Sequence, residues 1–110
     1  MEIILKSGEL SKKEIYNLIR SPEIQKMRDH VDELIDVDKY IIYKDENGSG
    51  DEVTVLSILD KNGLVYASNS QTARTEFEYI ADLMEDEAFS VKVCEGTSKN
   101  GRTYITLALV

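Results

Sequence analysis

The chain has 110 residues and a formal net charge of −8, with 42% hydrophobic and 31% charged side chains. This composition is typical of one globular domain and excludes a largely disordered chain. A single cysteine and a single histidine exclude an internal disulfide and a Cys/His zinc site. Because no apolar run approaches the length of a membrane span, we expect a cytoplasmic protein, and nothing suggests a cofactor.

The negative charge is concentrated in two segments. Residues 31–52 carry eight acidic and two basic side chains, and residues 72–88 carry six acidic and one basic. Residues 89–110 carry three basic side chains and one acidic, so the end of the chain is positive. The net charge therefore does not by itself exclude a polyanionic partner.

Residues 1–30 are predicted to form a helical extension. Ser11 and Glu14 have the spacing of a capping box, in which each side chain pairs with a free backbone N–H group at the start of a helix. Pro22 predicts a second helical start, continuing to about His30. This extension either packs on the main body or acts as a dimerisation or partner-docking arm.

Residues 31–110 are predicted to contain five strands and one helix. Irregular alternation in the first strand predicts a bulge near Asp38 and Lys39. The order of three strands, a helix and two strands is typical of an OB-fold, a five-stranded, partly closed barrel with its helix between strands three and four. An open five-stranded sheet with one helix is the alternative. The helix is capped by Ser70 or Thr72 and continues to about Glu87, and the predicted strands span residues 31–44, 52–60, 64–69, 89–94 and 102–109.

No catalytic constellation is visible. The only histidine, His30, lies in the N-terminal segment, and no serine follows the pattern of a nucleophile elbow. The glycine-bounded loop 96–101 lacks the lysine–threonine ending of a P-loop, and the acidic loop 45–51 lacks the spacing of a calcium-binding EF-hand. We therefore expect neither an enzyme nor a metal site.

Tyrosines and cations occur together on the predicted strands. Single-stranded nucleic acid is held by bases that stack on aromatic rings and by cations that neutralise phosphates. An OB-fold binds through strands two and three and the adjoining loops. Tyr43 fits the core as well as a binding surface, since it shares the parity of buried positions. The candidate nucleic-acid-binding residues are Tyr40, Tyr66, Lys92, Lys99, Arg102 and Tyr104.

Two blocks, residues 53–67 and 89–101, resemble the single-stranded DNA-binding proteins of protein-primed Bacillus phages. With the acidic helix between them, the similarity covers residues 53–110, whereas the segment before residue 31 is unlike that family. The resemblance implies a phage or prophage protein of the bacterial host cytoplasm that coats single strands without sequence preference. It also implies that Tyr66 stacks on bases and that Lys92 and Lys99 contact the DNA backbone.

Together these features predict sequence-tolerant binding of single-stranded DNA, with protection and unwinding of displaced strands in replication or recombination. Copies of the chain could associate through the N-terminal helices, and replication proteins are possible partners. We expect Tyr66→Ala to weaken binding without unfolding the domain. One alternative is an acidic interaction module that mimics DNA or docks a basic partner and has no affinity for nucleic acid. The other is a small hydrolase or transferase that uses surface carboxylates.

Overall fold

The computed structural model describes all 110 residues, which form seven strands and two α-helices. The strands are β1 (Glu2–Lys6), β2 (Gln25–Lys26), β3 (Leu34–Glu46), β4 (Glu52–Asp60), β5 (Val65–Ser68), β6 (Ser90–Thr97) and β7 (Thr103–Leu109). The helices are α1 (Lys12–Ile19) and α2 (Gln71–Met84), and Met27–His30 form a short 3-10 turn. None of the helices is long and apolar enough to cross a membrane.

The strands form one curled sheet in the order β2-β5-β4-β3-β6-β7, with β1 paired to β3. Strand β3 is 13 residues long and connects the two halves of the sheet. Its first part, residues 34–36, pairs with β6, and residues 37–46 pair with β4. The result is a mainly β half-barrel, compatible with the OB-like fold expected from the sequence.

The bulge predicted near Asp38 and Lys39 is confirmed. The register between β3 and β4 shifts between Val37 and Lys39, so one extra residue enters β3 at this point. Beyond the bulge the parity of the strand reverses. Ile42 therefore joins the main core on the concave face, with Tyr40 packed against it. Unbroken alternation from Ile35 and Val37 would instead have placed Tyr40 on the opposite face of the sheet.

Two apolar clusters cover the two faces of the sheet. The larger one lies between the concave face and α2, and its centre is the fully buried Phe77 of that helix. The smaller one lies under α1 and contains Leu18, Ile41, Tyr43 and Val65, which assigns Tyr43 to the core. The Ser57 hydroxyl also donates a hydrogen bond of 2.6 Å to the Leu18 carbonyl, which ties α1 to β4.

The N-terminal segment is only partly helical. The capping box of Ser11 and Glu14 is present at the start of α1, as predicted. The second predicted helix, after Pro22, is wrong: residues 25–26 form β2, which runs parallel to β5. The apolar stripe of this segment is too sparse to stabilise an isolated helix, whereas pairing with β5 and burial of Met27 supply tertiary contacts.

Helix α2 lies between β5 and β6 in the chain. The Ser70 hydroxyl accepts a hydrogen bond from the Ala73 N–H and donates one of 2.6 Å to the Ile105 carbonyl. A single side chain thus caps the helix and joins its first turn to β7. The helix ends before the predicted Glu87 because Glu85 takes a φ of +53°, which breaks the helical path.

Candidate nucleic-acid interface

The terminal hairpin of β6 and β7 has one buried face and one outward face. Its tip is a tight turn in which the Gly101 N–H donates to the Ser98 carbonyl and Gly101 adopts a φ of +77°. The Ser98 N–H in turn donates to the Arg102 carbonyl, which closes the loop. The inner face is buried through alternate residues, the two-residue period of a strand with one buried face: Val91, Val93, Ile105 and Leu107.

Tyr104 lies on the outward face, directly across the ladder from Gly96. Its ring lies over this glycine: a Cβ atom placed on Gly96 would come 2.7 Å from Cε2 of the ring. An aromatic side chain that covers a cross-strand glycine is held against the sheet rather than free in solvent. The ring nevertheless stays 39% exposed, which makes it a fixed flat surface.

The cations of the hairpin differ in how freely they can act. Lys99 and Arg102 are exposed and form no ion pair, so both charges are available to a ligand. Lys92 is half-buried, and its Nζ lies 4.0 Å from an Oδ of Asp32. The predicted residues that the fold brings together with free charge and an accessible ring are therefore Lys99, Arg102 and Tyr104.

Tyr66 is buried inside the half-barrel, and Tyr40 is half-buried against the same core. Tyr66 is only 7% exposed, and its ring meets that of His30 edge-on, with centroids 5.1 Å apart. Tyr40 packs edge-on against Phe77, with centroids 4.8 Å apart. Burial raises the pKa of both phenols, and the nearby carboxylate of Asp60 adds to the shift at Tyr66.

This burial corrects one expectation about Tyr66. Replacing it by alanine would remove a ring from the core and leave a cavity, a change that lowers stability by about 3–5 kcal/mol for large aromatic residues. Tyr66→Ala therefore cannot test binding without also affecting folding.

An open groove of about 790 Å³ lies next to the hairpin. One wall comes from β2 and the 3-10 turn, another from the connection between β5 and α2, and the third from the start of β7. Polar side chains dominate its lining, and among them are Lys26, Arg28, Asn69, Thr72, Thr103 and Tyr104. Lys26 and Arg28 were missed from the sequence because residues 22–30 were interpreted as a helix; their position on both sides of an apolar Met27 was the available signal.

The outward face of α2 is the opposite of the hairpin in charge. Tyr79 and Leu83 are exposed on this helix, and Tyr79 is 67% exposed. From Glu76 to Glu87, the charged side chains of the helix and of the residues just beyond it are all carboxylates: Glu76, Glu78, Asp82, Glu85, Asp86 and Glu87. The positive and negative surfaces are thus on separate elements. No group of three or more His, Cys, Asp or Glu side chains is placed to hold a metal ion.

The family of phage single-stranded DNA-binding proteins is the match among known protein families, and its model covers residues 6–110. No curated protein and no solved structure matches the chain. The family match confirms the resemblance seen in residues 53–110. The expectation that the segment before residue 31 is unlike the family is wrong, because the match begins at residue 6. With an accessible tyrosine beside free cations, the chain has the groups that such binding requires. The chain belongs to the phage single-stranded DNA-binding protein family, a non-enzymatic family that binds single-stranded DNA.

Proposed function

We propose that this protein coats single-stranded DNA without sequence preference during phage or prophage DNA replication or recombination. In this role it protects displaced strands and removes their secondary structure. The observation that carries the proposal is the juxtaposition of the Tyr104 ring, fixed over Gly96, with the unpaired cations Lys99 and Arg102.

Two interactions of different kinds hold the strand. A base stacks on the exposed face of Tyr104, an interaction worth about 1–3 kcal/mol per base. Lys99 and Arg102 neutralise phosphates, which releases counterions and makes the affinity fall as salt rises. Neither interaction reads a base edge, so binding tolerates any sequence.

Unwinding follows from the stacking interaction with Tyr104. The face of a base is available to Tyr104 only when the base is unstacked, so the protein binds single strands better than duplex. A ligand that binds one of two states shifts the equilibrium towards that state by mass action. Coating of a displaced strand therefore opposes its reannealing and its folding into hairpins.

The acidic remainder of the molecule fits this role. With a net charge of −8, most of the surface repels DNA, which restricts attachment to the positive hairpin. We expect affinity that depends steeply on salt and weak attachment to duplex DNA.

The other predicted contacts take secondary places in the proposal. Lys92 contacts the backbone after release from Asp32. The half-buried Tyr40 offers a base only part of its ring, and the buried Tyr66 reaches a base only if the half-barrel opens locally. Association of copies through the N-terminal segment and contacts with replication proteins remain predictions. Tyr16, exposed on α1, is the residue at which we would probe them first.

A fluorescence titration tests the proposed function. The chain has six tyrosines and no tryptophan, so the emission comes from tyrosine. Thymidine oligonucleotides, which form no stable secondary structure, should quench this emission to saturation at low salt. The apparent affinity should fall as salt is raised, with a slope of roughly 0.7 per phosphate contacted on a double-logarithmic plot.

A flat titration at low salt, confirmed by an independent separation of free and bound oligonucleotide, would overturn the hairpin as a binding surface. The acidic α2 would then become the leading candidate surface, because its exposed Tyr79 and Leu83 lie among carboxylates that suit a basic protein partner.

A further inference from the structure

We propose that the single strand continues from the hairpin into the adjoining groove, where Lys26 and Arg28 bind its phosphates. This inference rests on the proposed function and adds to it a second contact region, contributed by the N-terminal segment. The candidate residues chosen from the sequence do not include this region, whereas the family match over residues 6–110 does cover it.

The two cations are held in place by the residue between them. Met27 is fully buried in the main core, and its neighbours Lys26 and Arg28 are both exposed at the groove. The backbone on the N-terminal side is fixed by the pairing of Lys26 with Ala67 of β5. On the C-terminal side, the Asp32 N–H donates a hydrogen bond of 2.7 Å to the Val93 carbonyl. The two charges therefore project from a rigid support.

The groove is continuous with the proposed hairpin surface. Tyr104, which offers its ring on the hairpin, also lines the groove, as does the adjacent Thr103. Arg102 directly precedes these two residues in the chain, so a strand that stacks on Tyr104 has cations on both sides of it. The volume of about 790 Å³ lies within the range of roughly 300–1,000 Å³ found for small-molecule sites and suits a nucleotide unit.

The charges at this end of the molecule favour a polyanion. Two carboxylates, those of Asp29 and Glu95, also line the groove and balance Lys26 and Arg28 within it. The adjoining loop supplies Lys99 and Arg102, so four cations stand against two carboxylates along the whole path. Since none of these four cations forms an ion pair, each can exchange its counterions for a phosphate.

The topology explains why such a groove exists. The sheet is not closed: β5 carries β2 on its outer side, and β7 is the last strand at the opposite end of the sheet. The 3-10 turn and the Ser70 hydrogen bond to the Ile105 carbonyl bring these two ends near each other without pairing their strands. A polar cleft remains between them, and its two rims come from distant parts of the chain.

The double variant Lys26→Ala/Arg28→Ala tests this inference, with Lys12→Ala/Lys13→Ala as the matched control. The control removes two exposed, unpaired lysines from the start of α1 and changes the net charge equally. We expect the groove variant to bind a thymidine oligonucleotide roughly tenfold more weakly at low salt, with a salt slope smaller by about 1.4. At about 0.15 M ionic strength, where the Debye length is roughly 8 Å, the control should change affinity by less than about twofold, because α1 packs on the smaller cluster whereas Met27 belongs to the main core.

The possible results separate this inference from the proposed function. If the groove variant binds as the control does, with an unchanged salt slope, the strand does not follow the groove, although quenching at Tyr104 would still support the hairpin. If the wild type shows no quenching at any salt concentration, the proposed function fails first and this inference with it.

A charge-preserving variant distinguishes phosphate binding from a structural role of this segment. Lys26→Arg/Arg28→Lys retains both charges and should restore affinity and salt slope to within about twofold of the wild type, because the contact is a point-charge interaction with phosphate. Thermal unfolding of all the variants should agree with the wild type. A charge-preserving variant that binds as weakly as the alanine variant would contradict phosphate binding.

Discussion

The terminal hairpin and helix α2 each present an exposed tyrosine, in opposite electrostatic surroundings. Tyr104 is 39% exposed, lies across from Gly96 and follows two free cations. Tyr79 is 67% exposed and lies on a helix whose outward face is acidic. By exposure alone Tyr79 would be the better platform for a base.

From this difference we infer that an accessible ring alone is insufficient for binding to a polyanion. A base brings its phosphate with it, so stacking on Tyr79 would place that phosphate among carboxylates. In the proposed binding mode at Tyr104, the same phosphate would meet Lys99 or Arg102 instead. Charged groups within about one Debye length, roughly 8 Å at physiological salt, therefore determine which ring can serve.

The largest effect on affinity is expected from reversing the charge of the hairpin, which tests whether its cations distinguish it from α2. Lys99→Glu/Arg102→Glu should weaken binding of a thymidine oligonucleotide by about 100-fold or more at low salt, since two charge-assisted contacts of roughly 1.5–3 kcal/mol each are lost. Both residues are exposed, so the fold should be retained. Lys12→Glu/Lys13→Glu introduces the same charge elsewhere. If it weakens binding equally, net charge rather than the hairpin governs affinity.

Replacing each of the two tyrosines by alanine in turn shows whether affinity depends on the ring beside the cations or on the more exposed ring. Tyr104→Ala should lower affinity by roughly 5- to 150-fold, equivalent to about 1–3 kcal/mol of lost stacking. Tyr79→Ala should leave affinity unchanged. Fluorescently labelled oligonucleotides should be used, because the substitutions alter the intrinsic emission. A larger loss from Tyr79→Ala than from Tyr104→Ala would reverse the assignment of the two surfaces.

A smaller loss of affinity is expected from Gly96→Ala, which retains Tyr104 but fills the space over Gly96 that its ring occupies. The new methyl group would overlap the Tyr104 ring and displace it from the sheet. We expect a roughly two- to fivefold loss of affinity, a fraction of the stacking contribution. Stability should hardly change, because only a side chain has to move. Gly48→Ala is the control, since nothing lies within 4 Å of its added methyl group.

The smallest effect is a decline in folding stability above pH 10, and it comes from the two buried tyrosines, Tyr43 and Tyr66, and the half-buried Tyr40. Burial raises the pKa of Tyr40, Tyr43 and Tyr66 in the folded protein, whereas tyrosines of the unfolded chain ionise near pH 10. Their contribution to stability is therefore complete below pH 10 and is lost as the pH rises through the raised pKa values.

Urea unfolding at pH 9, 10 and 11 should show this decline. Tyr66→Phe keeps the ring and removes one ionising group, so its stability should fall less steeply with pH than that of the wild type. Identical slopes of stability against pH for the two proteins would mean that Tyr66 is in contact with solvent and that its ring is accessible to a base.

Much of the fold could be predicted because its signals are local. The capping box at Ser11 and Glu14 and the strand from Glu52 to Asp60 depend on residues a few positions apart. The bulge near Lys39 was also visible, as a break in alternation. The consequence of the bulge was not visible in the sequence. One inserted residue reverses the inward and outward positions of the rest of β3, including that of Tyr40.

The parts that could not be predicted depend on distant pairings. A sparse apolar stripe after Pro22 reads as a short helix, but the edge of β5 is available for pairing and Met27 fits the main core. Lys26 and Arg28 thereby move from a supposed helix surface to the rim of a groove. The burial of Tyr66 likewise arises from contact with His30, which lies 36 positions earlier in the sequence.

By itself the sequence determined the family, the approximate strand positions and the positive character of the final hairpin, because short motifs, period-two alternation and charge are properties of neighbouring residues. Only the tertiary structure decided which tyrosines are accessible and how the groove is built. Accessibility depends on what the curled sheet brings over each ring, and the groove exists because β2 and β7 end near each other without pairing.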